Sequence, residues 1–290
     1  MNGSLACLLK KWYASSSRMK ILPTLVSLAS IFLSNLQAGE KFTPEFYAFT
    51  NGVPSLSYDE EARLLKKLGF DGISQVHAGD GGEKLAERIA AFDKQGLKVL
   101  SIYLDAGEQP IDPKVYQALA NRSGMIELTV TTINPKVIDS IRKTAGRAGE
   151  MKIRVALYPH FGNAVATMPQ ALALIEKINH PNVGVMFNLC HFLKSENPDD
   201  LEEVLGKAAP HLFSVSTCGA DADGTTWARL IQPLNEGSFP QSRLLNHLQK
   251  LNYTGPVTLQ CYAIKGDRQK NLQASIAAWK KLTSSDPGGP

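Results

Sequence analysis

Residues 153–160 read IRVALYPH and residues 184–191 read GVMFNLCH, two short β-rich runs that each end in a histidine. Between them, the stretch Pro169–Ile178 carries apolar residues at intervals of three and four, which is the spacing of an amphipathic helix. A strand, a helix and a second strand in this order are typical of two parallel strands joined by a crossover helix. These residues therefore predict one unit of an α/β fold.

The same unit recurs from residue 45 to residue 282. Strands are predicted at Glu45–Phe49, Gly72–His77, Lys98–Leu104, Ile126–Thr131, Ile153–Tyr158, Gly184–Asn188, Phe213–Thr217 and Val257–Gln260. Helices are predicted at Tyr58–Leu68, Glu83–Gln95, Pro113–Ala120, Pro135–Ala148, Pro169–Ile178, Asp199–Ala208, Gln241–Leu251 and Arg268–Leu282. Eight such units in about 250 residues predict a single (β/α)8 TIM barrel, which we assign to residues 39–290.

The first 38 residues have the layout of a signal peptide. Four basic residues precede an apolar run at residues 21–33, and the small residue Ala38 stands where a peptidase would cut. The run is shorter than the roughly 20 apolar residues that span a bilayer. We expect cleavage after Ala38 and export to a periplasm or the cell exterior, the alternative being a membrane anchor that stays attached.

The charge balance gives no sign of a binding surface for nucleic acid or an anionic membrane. Residues 1–38 contain four of the 31 lysines and arginines and none of the 27 acidic residues, so the remainder is neutral. We therefore expect neither nucleic acid nor, after cleavage, a membrane as partner, and the oligomeric state stays open. Outside the signal segment, the odd set Cys190, Cys218 and Cys261 does not form a disulfide framework.

Alternation along the strands predicts a polar barrel interior. In Ile126–Thr131 the apolar side chains must face the helices, which turns Glu127 inward. Parity places these residues toward the axis: Gln75, His77, Ser101, Tyr103, Glu127, Thr129, Thr131, Tyr158, His160, Asn188, Ser214, Ser216, Thr258 and Gln260. Most lie near the strand C-termini, the face where such barrels build their sites. An inward carboxylate needs a partner, and for Glu127 we expect an ion pair, for instance with Arg154, or a ligand.

At residues 156–160 (ALYPH), 187–191 (FNLCH) and 259–262 (LQCY), the chain resembles the xylose-isomerase-like barrels. This superfamily of sugar phosphate isomerases and epimerases also includes endonuclease IV. The resemblance implies a divalent cation held by a Glu on strand five, an Asp on strand six, a His on strand seven and a Glu on strand eight. At those positions this chain has Tyr158, Asn188, Ser216 and Gln260, whereas the accompanying His160 and His191 are retained.

The substitutions weaken the implied metal site. Hard divalent cations bind chiefly to anionic oxygens, and amides and hydroxyls supply none. A residual site of His160 and His191 with Glu127, or with Cys190 or Cys218, is the alternative, because zinc accepts imidazole, carboxylate and thiolate.

The resemblance implies a sugar (phosphate) isomerase/epimerase-like enzyme, or a lyase-like relative, which transfers a proton next to a carbonyl of a carbohydrate. His160 and His191 are the expected acid–base groups, because an ordinary histidine titrates near neutrality. The expected carbohydrate-binding residues are His77, Glu127, Tyr158, Asn188, Ser216, Gln260 and Trp227. The alternatives are structural histidines in a carbohydrate-binding barrel without catalysis, and for Trp227 a cover over the barrel mouth. A nuclease would need metal carboxylates and a basic groove, and the sequence has neither.

Overall fold

The computed structural model describes residues 42–77 and 82–284, so the predicted signal peptide lies outside the described residues. The strands are β1 (Phe46–Phe49), β2 (Gly72–Ser74), β3 (Lys98–Val99 and Ser101–Asp105), β4 (Met125–Thr129), β5 (Arg154–Leu157), β6 (Val183–Asn188), β7 (Leu212–Thr217) and β8 (Val257–Leu259). Each lies next to its neighbour in sequence, all pairs are parallel, and β8 pairs with β1.

The barrel closes through β3, whose two segments are interrupted only at Leu100. The Leu100 N–H donates to the carbonyl of Ile73 at 2.8 Å, and its own carbonyl accepts from the N–H of Met125 at 3.0 Å. One residue thus hydrogen-bonds to the chain at β2 on one side and at β4 on the other. The prediction of an eight-stranded α/β barrel is confirmed.

Nine α-helices are described: α1 (Tyr58–Leu68), α2 (Glu83–Asp93), α3 (Pro135–Glu150), α4 (Met168–Ile178), α5 (Leu189–Ser195), α6 (Leu201–Ala208), α7 (Trp227–Leu230), α8 (Gln241–Lys250) and α9 (Arg268–Ser284). Their caps follow local chemistry. Ser57 and Glu60 form a capping box at the start of α1, and Gly69 ends it with φ of 96°.

Within the described residues, no helix is long and apolar enough to cross a membrane.

The predicted helix Pro113–Ala120 is wrong. The segment forms two 3-10 turns, Pro113–Val115 and Gln117–Leu119, separated at Tyr116. Tyr116 leaves the helical region at φ −126°, and its side chain is fully buried in the core. A segment of this length forms few helical hydrogen bonds, so tertiary packing decides its conformation.

The core has an apolar layer between strands and helices and a polar interior. In the outer layer, Phe46 stacks on Trp279 of α9 at 4.0 Å between ring centroids and on Phe70 at 5.5 Å. Inside, Glu127, Ser214, Ser216 and Thr258 are fully buried. Thr131, by contrast, lies beyond the end of β4 and is exposed, so it is not part of this buried interior.

Candidate functional site

A cavity of about 650 Å³ opens at the C-terminal ends of the strands, a size typical of small-molecule sites. It is lined by Thr50, Asn51, Gln75, His77, Tyr103, Tyr158, His160, Phe161, Gly162, His191, Trp227, Ile231, Gln260 and Tyr262. Of the residues predicted for the site, His77, Tyr158, His160, His191, Trp227 and Gln260 meet here. Asn188, Glu127 and Ser216 are buried and do not line the cavity.

His160 and His191 lie side by side, with ring centroids 4.1 Å apart. His160 is in the loop after β5, and His191 is in the first turn of α5. That helix begins there because the Asn188 side chain accepts a hydrogen bond from the N–H of Cys190. The sequence patterns did not predict α5, although it positions one of the two histidines.

The backbone of Phe161 gives the two histidines opposite tautomers. Nδ1 of His160 lies 3.0 Å from the Phe161 carbonyl oxygen, which can only accept, so Nδ1 must carry the proton. Nδ1 of His191 accepts from the Phe161 N–H at 3.2 Å, so the proton of this neutral ring is on Nε2. Nε2 of His160 therefore carries a lone pair and can accept a hydrogen bond, whereas Nε2 of His191 carries a proton and can donate one.

Both histidines are neutral at neutral pH. Burial lowers the pKa of His191 to about 3, and the neighbouring His160 contributes in the same direction. Burial also lowers the pKa of His160, against the opposing effects of the Phe161 carbonyl and Asp105. The tautomers assigned for the uncharged rings are thus the relevant ones.

The positions that replace metal ligands present hydrogen-bond donors instead. Asn188 donates from Nδ2 to the Tyr158 hydroxyl oxygen at 2.7 Å, so the Tyr158 O–H remains free to donate. Burial raises the pKa of Tyr158 and keeps it protonated. Gln260 accepts from the Tyr262 N–H through Oε1 at 2.9 Å, which leaves its NH2 group for the cavity.

This donor set does not fit a divalent cation. The side-chain oxygens of Asn188 and Gln260 already accept backbone N–H groups, and neither carries a charge. Both cysteine thiols are buried and already hydrogen-bonded: Cys190 donates to Asn188 Oδ1, and Cys218 donates to the Leu230 carbonyl oxygen. Within residues 42–77 and 82–284, no group of three or more His, Cys, Asp or Glu side chains is placed to hold a metal.

Glu127 has no ionic partner among the described residues, so the expected ion pair is wrong. Its Oε1 accepts from the Ser101 hydroxyl at 2.8 Å, and its Oε2 has no hydrogen-bond partner. The guanidinium of Arg154 instead lies over the Phe213 ring, 4.9 Å from its centroid. Complete burial raises the pKa of Glu127 to about 7, opposed by the hydrogen bond from Ser101 and by the nearby Gln75 side chain.

The cavity mouth has an aromatic rim. Phe161, Trp227 and Tyr262 are all more than one third exposed. The Trp227 ring meets Phe161 and His191 edge-on, at centroid distances of 5.9 and 5.3 Å. Exposed ring faces of this kind can stack on the apolar face of a sugar ring. Phe161 was not among the predicted site residues, although its position directly after His160 is a signal that could have identified it.

Comparisons with known proteins agree with this architecture. A family model described as the xylose isomerase-like TIM barrel matches residues 121–282. Over 125 residues, 43% of this chain, the sequence is 26% identical to a probable ketose 3-epimerase of Synechocystis sp., and the match spans only 39% of that relative.

Two solved structures have the same fold. 3-Keto-D-glucoside 4-epimerase from E. coli superposes with a TM-score of 0.66 at 19% identity, over 82% of this chain and 100% of that one. D-Psicose 3-epimerase from Clostridium cellulolyticum H10 superposes with a TM-score of 0.65 at 15% identity, over 82% and 99%.

Proposed function

The chain belongs to the xylose isomerase-like TIM barrels, and we propose that it is a sugar isomerase/epimerase-like enzyme that transfers a proton next to a carbonyl. The observation that carries this proposal is the pair of opposite tautomers on His160 and His191. A base and a hydrogen-bond donor side by side are what enolate formation requires. The names of the relatives, a ketose 3-epimerase among them, support a carbohydrate as substrate.

His160 is the proposed general base. Its free Nε2 takes the proton from the carbon next to the carbonyl, and the C–H electron pair moves to form an enolate. For an isomerisation, the proton of the adjacent hydroxyl moves to the enolate oxygen, and His160 returns its proton to the former carbonyl carbon, so that the carbonyl and the hydroxyl exchange places. Because burial lowers the pKa of His160, the unprotonated ring, which is the form that acts as a base, predominates at neutral pH.

His191 is proposed to polarise the carbonyl as a neutral donor. A neutral imidazole that gave up its Nε2 proton would become an imidazolate, so it acts by hydrogen bonding rather than by proton transfer. The Tyr158 hydroxyl and the Gln260 amide add two further donors around the same cavity. Such donors stabilise the developing negative charge on the enolate oxygen.

The test is hydrogen exchange in D2O. The protein is incubated with D-tagatose, D-psicose and a 3-keto-glucoside, with EDTA present, and NMR follows the loss of the C–H signal next to the carbonyl. We expect exchange with at least one sugar, its loss in His160→Asn, and a reduction of 10²-fold or more in His191→Phe, about the usual effect of one oxyanion donor. His211→Asn is the matched control, because His211 is exposed and lies at the N-terminal end of β7.

The absence of exchange with all three sugars would contradict the proposal. Sugar binding without exchange, measured by calorimetry, would support the alternative of a non-catalytic carbohydrate-binding barrel, which is compatible with the neutral residues Asn188, Ser216 and Gln260. Exchange that requires added Mn²⁺ would contradict the metal-independent base assigned to His160.

A further inference from the structure

Gln75 has an unusual backbone conformation for its position. Seven non-glycine residues in the described chain have positive φ, and six of them are exposed: Asn121, Ser123, Lys152, Asn179, Asn252 and Ala263. Gln75, with φ of 51°, is only 8% exposed and follows β2 directly into the cavity wall. Left-handed backbone at a non-glycine residue is unfavourable and persists only where the surroundings hold it.

A buried relay of two hydrogen bonds ends at the backbone N–H of Gln75. The Gln75 N–H donates to the Ser101 hydroxyl oxygen at 2.9 Å, and the Ser101 hydroxyl donates to Glu127 Oε1 at 2.8 Å. Ser101 and Glu127 have no exposed surface. Because the serine proton is committed to the carboxyl group, its lone pair is oriented to receive the Gln75 N–H. The relay thus links the chain after β2 to β3 and β4.

The Gln75 side chain points to a missing partner. Its Nε2 is buried and makes no hydrogen bond of good geometry among the described residues, although the side chain lies close to Glu127 and Tyr158 and lines the cavity. A buried N–H without an acceptor is costly, and a ligand oxygen would relieve the cost. In an eight-stranded barrel β2 lies opposite β6, so Gln75 faces the wall that carries His191.

We propose that Glu127 is a positioning residue that acts through Ser101 to hold Gln75 left-handed, so that the Gln75 amide binds a hydroxyl or carbonyl oxygen of the sugar. The ligand then lies between this amide and the histidine pair. The inference rests on the proposed function for the identity of the ligand, whereas the relay itself is a property of the barrel. Gln75 was not among the site residues that the sequence predicted.

The relay is tested without substrate by NMR. The ¹³Cα and ¹³Cβ shifts of Gln75 report its backbone conformation, and we expect them to move away from left-handed values in Ser101→Ala and Glu127→Ala. Glu127→Gln should retain them, because its amide oxygen can still accept from Ser101. Ser214→Ala is the matched control, since Ser214 is also fully buried but its hydroxyl has no partner in the described structure. Unchanged Gln75 shifts in both alanine variants would overturn the relay.

Binding of D-tagatose, measured by calorimetry, tests the role of the amide. We expect Gln75→Ala and Ser101→Ala each to weaken binding roughly fivefold to tenfold, the effect of one hydrogen bond. The double variant should bind no more weakly than Gln75→Ala alone, because both changes remove the same contact. Fully additive losses would overturn the inference. If the wild-type protein neither binds nor exchanges any of the three sugars, both the proposed function and the sugar as ligand of Gln75 are refuted. The NMR result still tests whether Glu127 and Ser101 hold the Gln75 backbone.

Discussion

Replacing Glu127 with glutamine should change how the stability of the barrel depends on pH. Its pKa rises from 4.5 to about 7 in the fully buried site, so the folded protein keeps a proton that the unfolded chain releases. Stability from this group is therefore lost as pH rises from 4.5 to about 7, and the loss is complete above that window. At about 1.4 kcal/mol per pKa unit, the full penalty is about 3 kcal/mol.

The assay is urea unfolding of wild type and Glu127→Gln between pH 5 and pH 8. Other groups with shifted pKa values, such as His191, titrate in both proteins, so the difference between the two free energies of unfolding isolates Glu127. We expect this difference to move in favour of the glutamine variant by about 2.5 kcal/mol between pH 5 and pH 8.

Parallel stability curves over this range would refute the reasoning, since they would mean that Glu127 ionises alike in folded and unfolded chains. A difference that moved in favour of wild type as pH rises would show that a cation stabilises the carboxylate. Ser214→Ala serves again as the control and should leave the shape of the curve unchanged.

Three further changes should alter the free energy of unfolding in urea. The guanidinium of Arg88 lies 2.7 Å from the buried carboxylate of Glu61. Arg88→Ala removes this cation and should lower the free energy of unfolding by about 3 to 5 kcal/mol. A loss below about 1 kcal/mol would mean that water reaches the carboxylate. Trp279→Ala removes the ring stacked on Phe46 and should cost about 3 to 5 kcal/mol, unless the helices collapse into the space. Lys152→Gly, at an exposed position with φ of 57°, should stabilise the protein by about 0.5 to 1 kcal/mol, and a loss would contradict the assigned strain.

Part of the site could be predicted from strand-end position. His160, His191 and Gln260 line the cavity because the C-terminal ends of parallel strands meet at one face of the barrel. The tautomers of the two histidines could not be predicted, because they depend on the N–H and carbonyl of Phe161, and every residue except proline carries both groups. The role proposed for Gln75 could not be predicted either, since nothing in its side chain indicates a left-handed backbone.

The sequence by itself determined the eight strands, seven of the eight predicted helices and the inward orientation of Glu127, because hydrophobic periodicity is a local property of the chain. It also predicts the signal peptide at residues 1–38, which stays a prediction. Only the tertiary structure decided that Glu127 meets Ser101 and no cation, and that α5 brings His191 beside His160. These contacts join residues 26 or more positions apart, and no local pattern encodes such distances.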